Sequence, residues 1–148
     1  MRKNTLLGMF AVGAFVVGAV LIQAMAHPGP KPQTTCPITG QRIDPQTSPH
    51  VDWQGQRIYF ASAEAVDQFR RDPEAVFAKI AGAHVQLENI ETNCPVSGEP
   101  LVGIAEKGPV TTYKGRTIRF CCPDCPGKFE VNPSKYVAGM PGEQLASR

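Results

Sequence analysis

A short block of sequence occurs twice in this chain, and the repeat limits what the chain can fold into more than any other feature. Cys36-Pro37-Ile38-Thr39-Gly40 returns as Cys94-Pro95-Val96-Ser97-Gly98, and Trp53-Gln54-Gly55 returns as Tyr113-Lys114-Gly115. Ile58 and Phe60 match Ile118 and Phe120, while Phe69, Asp72-Pro73 and Ala78 match Phe129, Asn132-Pro133 and Ala138. The offset is 58 positions at the first motif and 60 afterwards, so the second copy carries two extra residues before its hairpin. Duplication of one unit accounts for these matches. The expected division is 35–80 for the first unit, 81–92 for a connector, 93–140 for the second unit and 141–148 for a tail. Units this small rarely bury enough surface alone, so each needs a metal, a disulfide or a packed neighbour.

Each copy predicts the same α+β succession. Cys-Pro-x-x-Gly reads as a tight turn. Val51 and Trp53, then Ile58 and Phe60, alternate about Gln54-Gly55, predicting a hairpin whose Gly takes a positive φ; Val110, Thr112, Ile118 and Phe120 repeat the pattern about Lys114-Gly115. A short helix follows, capped in the first copy by Ser62, with Ala65, Val66 and Phe69 as its buried stripe. Asp72-Pro73 and Asn132-Pro133 each set a capping side chain before a Pro at the first helical position, which starts a last short helix. Leu87 and Ile90 in the connector alternate too weakly to assign.

Ahead of the repeats, Arg2 and Lys3 precede an apolar run from Leu6 to Ile22 and a small-x-small site, Ala24-Met25-Ala26. This order predicts an N-terminal apolar helix over 1–26, either a signal peptide cleaved after Ala26 or a retained membrane anchor. Both place the rest of the chain in a periplasmic or other extracytoplasmic location, secreted or anchored to the inner membrane, with membrane contact through this segment alone. His27 to Thr34, with Pro28, Pro30 and Pro32, reads as an extended linker. A His27 freed by cleavage has copper-binding groups, though a frayed first residue is the simpler reading. Beyond residue 26 the chain has 13 basic and 13 acidic side chains, which gives no electrostatic reason to expect nucleic acid as a partner. The 14 Gly, 14 Pro and 42% hydrophobic content argue against both a helical bundle and a disordered chain.

The cysteines carry the chemistry. Cys121, Cys122 and Cys125 fall where the second hairpin strand hands over to a helix, and cysteines three or four apart on a nascent helix point the same way. Cys94, in its turn 27 residues earlier, is the natural further ligand, because small zinc sites gather sulfur from a knuckle and a helix start. Three or four thiolates favour a soft ion, copper(I) or zinc, over calcium or magnesium. Ser97 occupies the place of a knuckle's second sulfur. The first copy has Ala61 and Ala65 at the outer positions, leaving Cys36 to remain a free thiol, join the second copy's site or pair with another cysteine. His50 and His84 read as surface residues, Lys128 and Lys135 as solvated charge, and Asp124 as a helix cap.

Cys-Pro-Val-Ser-Gly, a hairpin with Tyr-x-Gly, Phe-Cys-Cys-x-x-Cys-x-x-Lys-Phe and Asn-Pro-x-Lys-Tyr together resemble the YHS domain and the related TRASH metal-binding domain, over residues 94 to 136. The stretch from Cys36 to about Phe77 resembles the same domain without its pair of cysteines. The resemblance implies two tandem treble-clef-like units and a role in heavy-metal binding, sensing or trafficking, often of copper. By position the family's sulfur ligands fall on Cys94, Cys121 and Cys125, with Cys122 an addition or alternative; in many such domains the first Cys stands where Ser97 does here. The expectation is therefore a non-enzymatic, exported or membrane-anchored protein whose second unit binds a soft metal ion for trafficking, storage or sensing. One alternative is a disulfide-stapled module docking to an envelope partner, with Cys94 bridged to a later cysteine. The other is a thiol oxidoreductase using Cys122-Pro123-Asp124-Cys125. No nucleophile-base-orienter set or phosphate-binding glycine loop stands in the sequence.

Overall fold

The computed structural model describes residues 31–104 and 108–144. In chain order its elements are β1 (Lys31–Pro32), β2 (His50–Trp53), β3 (Gln56–Tyr59), α1 (Ala63–Arg71), α2 (Pro73–Gly82), β4 (Val85–Gln86), β5 (Glu88–Asn89), β6 (Val110–Tyr113), β7 (Arg116–Arg119), α3 (Cys125–Val131) and α4 (Pro133–Val137). The fold is mixed α+β with three small open sheets: β1 beside β4, β2-β3-β5, and the hairpin β6-β7. Hairpin, helix and helix thus follow one another twice.

Both hairpins close through two residues with positive φ, Gln54 (45°) and Gly55 (83°) in one, Lys114 (46°) and Gly115 (78°) in the other. This is the type I′ pattern, whose twist matches that of the strands it joins. It pairs Trp53 with Gln56 and Val51 with Ile58, and likewise Tyr113 with Arg116 and Thr111 with Ile118. The helices start as their caps predict: Ser62 accepts from the Ala65 N–H, Asp72 from Ala75 and Asn132 from Lys135. Asp124 stands at the start of α3 but makes no side-chain capping bond, which corrects its expected role. Two cores result. Phe60, Phe69 and Phe77 gather Trp53, Val51 and Ile58 in the first; Phe120 and Phe129 gather Leu101, Ile118, Cys94 and Cys125 in the second.

The two units lock together through polar side chains at matching positions. Gln56 and Arg116 each open the second strand of a hairpin, and each is 1% exposed. Gln56 donates through Nε2 to the Thr117 carbonyl at 3.0 Å. Arg116 reaches the other way: its guanidinium lies 3.7 Å over the Phe77 ring and donates to Glu74 Oε1 at 2.7 Å and to the Lys114 carbonyl at 3.0 Å. On the other edge of β7, Asn89 also donates to Thr117, and Glu91 Oε2 accepts the Arg119 N–H at 3.0 Å. Side chains there take the place of a neighbouring strand.

Several expectations change. The phase of β6 is shifted by one residue: Val110 is 56% exposed, while Thr111 and Tyr113 occupy the positions of the buried Val51 and Trp53. The connector is ordered by pairing of β4 with β1 and β5 with β3, and buries Leu87 in the first core. The end of the linker is tied down, since Lys31 donates to the His84 carbonyl and Gln33 both donates to and accepts from the Tyr59 backbone. The tail returns to the first hairpin, with the Glu143 N–H on the Asp52 carbonyl, the Gly55 N–H on the Pro141 carbonyl and Arg70 on the Glu143 carboxylate at 2.7 Å. The membrane-anchored option is also corrected: among the described residues no helix is long and apolar enough to cross a membrane. The segment behind that expectation, residues 1–26, lies outside the described residues, as does His27.

Two predictions follow from this interface. A Cβ on Gly115 meets the Phe77 carbonyl oxygen at 2.5 Å, a backbone atom, whereas one on Gly55 meets the flexible ends of Glu91 and Met140. Both positions carry positive φ, so both alanine variants are destabilised by about 1 kcal/mol from the backbone alone, and Gly115→Ala loses more. Urea unfolding checks the order. The second concerns Glu91, which is 8% exposed and whose Oε1 has no hydrogen-bond partner among the described residues. Burial pushes its carboxyl up from 4.5 to about 7, against the Arg119 N–H and Asn89 hydrogen bonds that favour the anion. Between those values the folded chain holds more proton than the unfolded one, so this group's contribution to stability is full below pH 4.5 and is lost as pH rises through about 7. Glu91→Gln should therefore gain on the parent by on the order of 3 kcal/mol between pH 4 and 8. A difference in unfolding free energy that stays constant over that range contradicts the assignment.

Candidate metal centre

Three local structures bring the sulfurs of the second unit together. The first is the Cys94 turn, closed by the Gly98 N–H on the Cys94 carbonyl and the Cys94 N–H on the Glu99 carbonyl, both at 2.8 Å, with Gly98 at φ 77°. The second is the bend after β7, held by the Phe120 N–H on the Pro109 carbonyl, which delivers Cys121. The third is the first turn of α3, which carries Cys125 into the core beside Phe120 and Phe129. The sulfurs of Cys94, Cys121 and Cys125 all lie within 4.8 Å of one another, and those of Cys121 and Cys125 are 3.9 Å apart. Zinc–sulfur bonds of 2.3 Å in a tetrahedron put sulfurs about 3.8 Å apart, so the triad is already near the spacing a soft ion needs.

The surroundings favour one thiolate first. Burial would raise the Cys94 thiol, but hydrogen bonds from the Ser97 hydroxyl and from the backbone of Cys121, Ser97 and Val96 outweigh it and bring it down to about 6. Cys125 is raised, by burial and then by the neighbouring thiols of Cys122, Cys94 and Cys121. Such close groups lose protons as a set, and a cation between them relieves the repulsion that holds the later protons on. Cys94 and Cys125 are 1% and 2% exposed, while Cys121 and Cys122 are half-buried, so the triad opens on the Cys121 side.

Of the four sequence-predicted ligands, Cys122 stands apart. Its sulfur is 3.0 Å from that of Cys125 but is not in the mutually close set. Its thiol is lowered, first by the hydrogen bond with Cys125 and then by the Asp124 backbone. Ser97 has a part the sequence did not assign: where a two-cysteine knuckle has sulfur, its hydroxyl lies 3.2 Å from Cys121 Sγ. The signal was present in the spacing, as a polar residue three positions after Cys94. All five cysteines are free thiols.

The first unit keeps the turn and lacks the partners. The Gly40 N–H meets the Cys36 carbonyl at 2.9 Å and the Cys36 N–H meets Gln41 at 2.8 Å, with Gly40 at φ 73°. Burial raises the Cys36 thiol, and the Thr39 hydroxyl and the backbone of Thr39, Ala61 and Ile38 more than offset it. Yet Cys36 is 2% exposed in the first core, with Ala61 and Ala65 where Cys121 and Cys125 stand in the second unit. Of the three roles left open for it, the free thiol is the one observed. Neither His50, whose ring lies against Tyr59, nor His84 joins the sulfur cluster. Lys128 is exposed. No family model, no curated protein and no solved structure matches this chain.

Proposed function

We propose that the chain is a non-enzymatic soft-metal-binding protein whose second unit takes one copper(I) or zinc ion on the thiolates of Cys94, Cys121 and Cys125. The observation that carries this reading is the convergence of three sulfurs within 4.8 Å from a turn, a strand end and a helix start. A thiolate-only donor set selects copper(I) or zinc over hard cations. The resemblance to YHS and TRASH domains points to the same three residues and to two treble-clef-like units, the first acting as a structural partner. Transport, storage or sensing of the ion is the corresponding task. Within the triad Cys94 supplies the first negative charge, Ser97 orients Cys121, and the second core keeps water from Cys125.

The test is metal content and thiol count on the same reduced, anaerobically purified sample. About one equivalent of zinc or copper(I) should bind, and the Cys121→Ser/Cys125→Ser variant should lose it, while Cys36→Ser keeps it. Affinity should fall on acidification as the thiols regain protons, and the melting temperature should rise with added metal. Unchanged stoichiometry in the double variant, or its loss in Cys36→Ser, contradicts the proposal.

A further inference from the structure

We propose that Cys122 and Cys125 form a redox pair, whose oxidation by a low-molecular-weight disulfide withdraws Cys125 from the triad and releases the metal. This rests on the reading of the triad as a metal site. Two sulfurs, 3.0 Å apart, are in closer contact than Cys121 and Cys125 at 3.9 Å. One of the pair is a member of the metal-binding set and the other is not. Cys122 is therefore not needed to hold the ion but sits against a ligand that is. The backbone supports the contact, since Cys122 and Cys125 span one turn closed by the Cys125 N–H on the Cys122 carbonyl at 3.3 Å, with Pro123 stiffening it.

Competing pairings are disfavoured by the same geometry. Adjacent Cys121 and Cys122 cannot bridge without strain. Cys121 is further engaged by the Ser97 hydroxyl at 3.2 Å. Access gives the order of events. Half-buried Cys122 meets an oxidant that Cys125, at 2% exposure, does not. The Cys122 sulfur gives its proton to water and attacks one sulfur of the small disulfide, expelling the other as a thiolate that takes up a proton. The Cys125 thiolate, leaving the metal, then attacks Cys122 Sγ of the mixed disulfide and expels the second small thiolate, which takes a proton from water. The Cys122 thiol and the Cys125 thiolate together lose two electrons, one small disulfide is reduced to two thiols, and the ion is left on Cys94 and Cys121 alone.

The experiment uses the full chain loaded with zinc, which has no redox chemistry of its own, and glutathione disulfide as oxidant. Zinc release is followed with a chromophoric chelator, and the bond formed is mapped by mass spectrometry. Release should keep pace with a Cys122–Cys125 bond and reverse with dithiothreitol, while Cys122→Ser should bind zinc in the same ratio and release it at least about tenfold more slowly. Equal release from Cys122→Ser, a bond mapped to any other pair, or a chain that keeps its zinc under oxidant overturns the redox pair and leaves the triad standing. A chain that takes up no zinc contradicts the triad itself and the proposal with it.

Discussion

The guanidinium of Arg116, laid over the Phe77 ring and paired with Glu74, joins two small units that each carry a core of their own. A buried charge of this kind is costly unless its donors are engaged; here the two terminal nitrogens meet Glu74 and the Lys114 carbonyl and the flat face covers an aromatic ring, while Nε has no hydrogen-bond partner among the described residues. Arg116 opens β7, and from Ile118 in β7 the chain runs on through Phe120 to Cys121 in the bend that follows. The position of one sulfur of the triad therefore depends on contacts with the other unit. Gln56 answers from the matching place in the first hairpin, and the chain's return through Pro141 and Glu143 closes the interface from the far side.

Duplication separates two tasks that a single small domain must otherwise combine. Both units retain the Cys-Pro-x-x-Gly turn with the same backbone bonds and the same left-handed Gly, so the turn serves folding in each. Only the second unit adds Cys121 and Cys125, where the first has Ala61 and Ala65. The first core has Phe77, 6.1 Å from Phe69, where the second unit has Val137, and the second has Tyr136, stacked on Phe129, where the first has Val76. One copy holds more apolar mass and the other holds sulfur.

Much of this was legible because its signals are local. Gly55 and Gly115 mark turns, Ser62, Asp72 and Asn132 mark helix starts, and the offset between copies aligns Cys121 and Cys125 with two alanines. The rest depends on neighbours distant in sequence. Nothing local announces that Gln56, Glu91 and Arg116 are buried, because each is covered by the opposite unit or by the connector. The phase of β6 misled through Val110, an apolar residue on the outer side of a strand whose inner side is filled by the Tyr113 ring against Phe129 at 5.8 Å. Cys122 could not be separated from its neighbours by spacing, since side-chain direction in the turn before α3 decides which sulfurs meet. The spacing marks Ser97 only as the place of a missing sulfur, and the fold is what sets its hydroxyl against Cys121.

X-ray absorption at the metal edge on the one-to-one complex counts the atoms bound to the ion. Three sulfurs at about 2.3 Å should dominate its coordination, unchanged in Cys122→Ser and reduced by one sulfur in Cys94→Ser. A shell made mainly of nitrogen and oxygen, or one that loses sulfur with Cys122 and keeps it with Cys94, contradicts the triad of Cys94, Cys121 and Cys125.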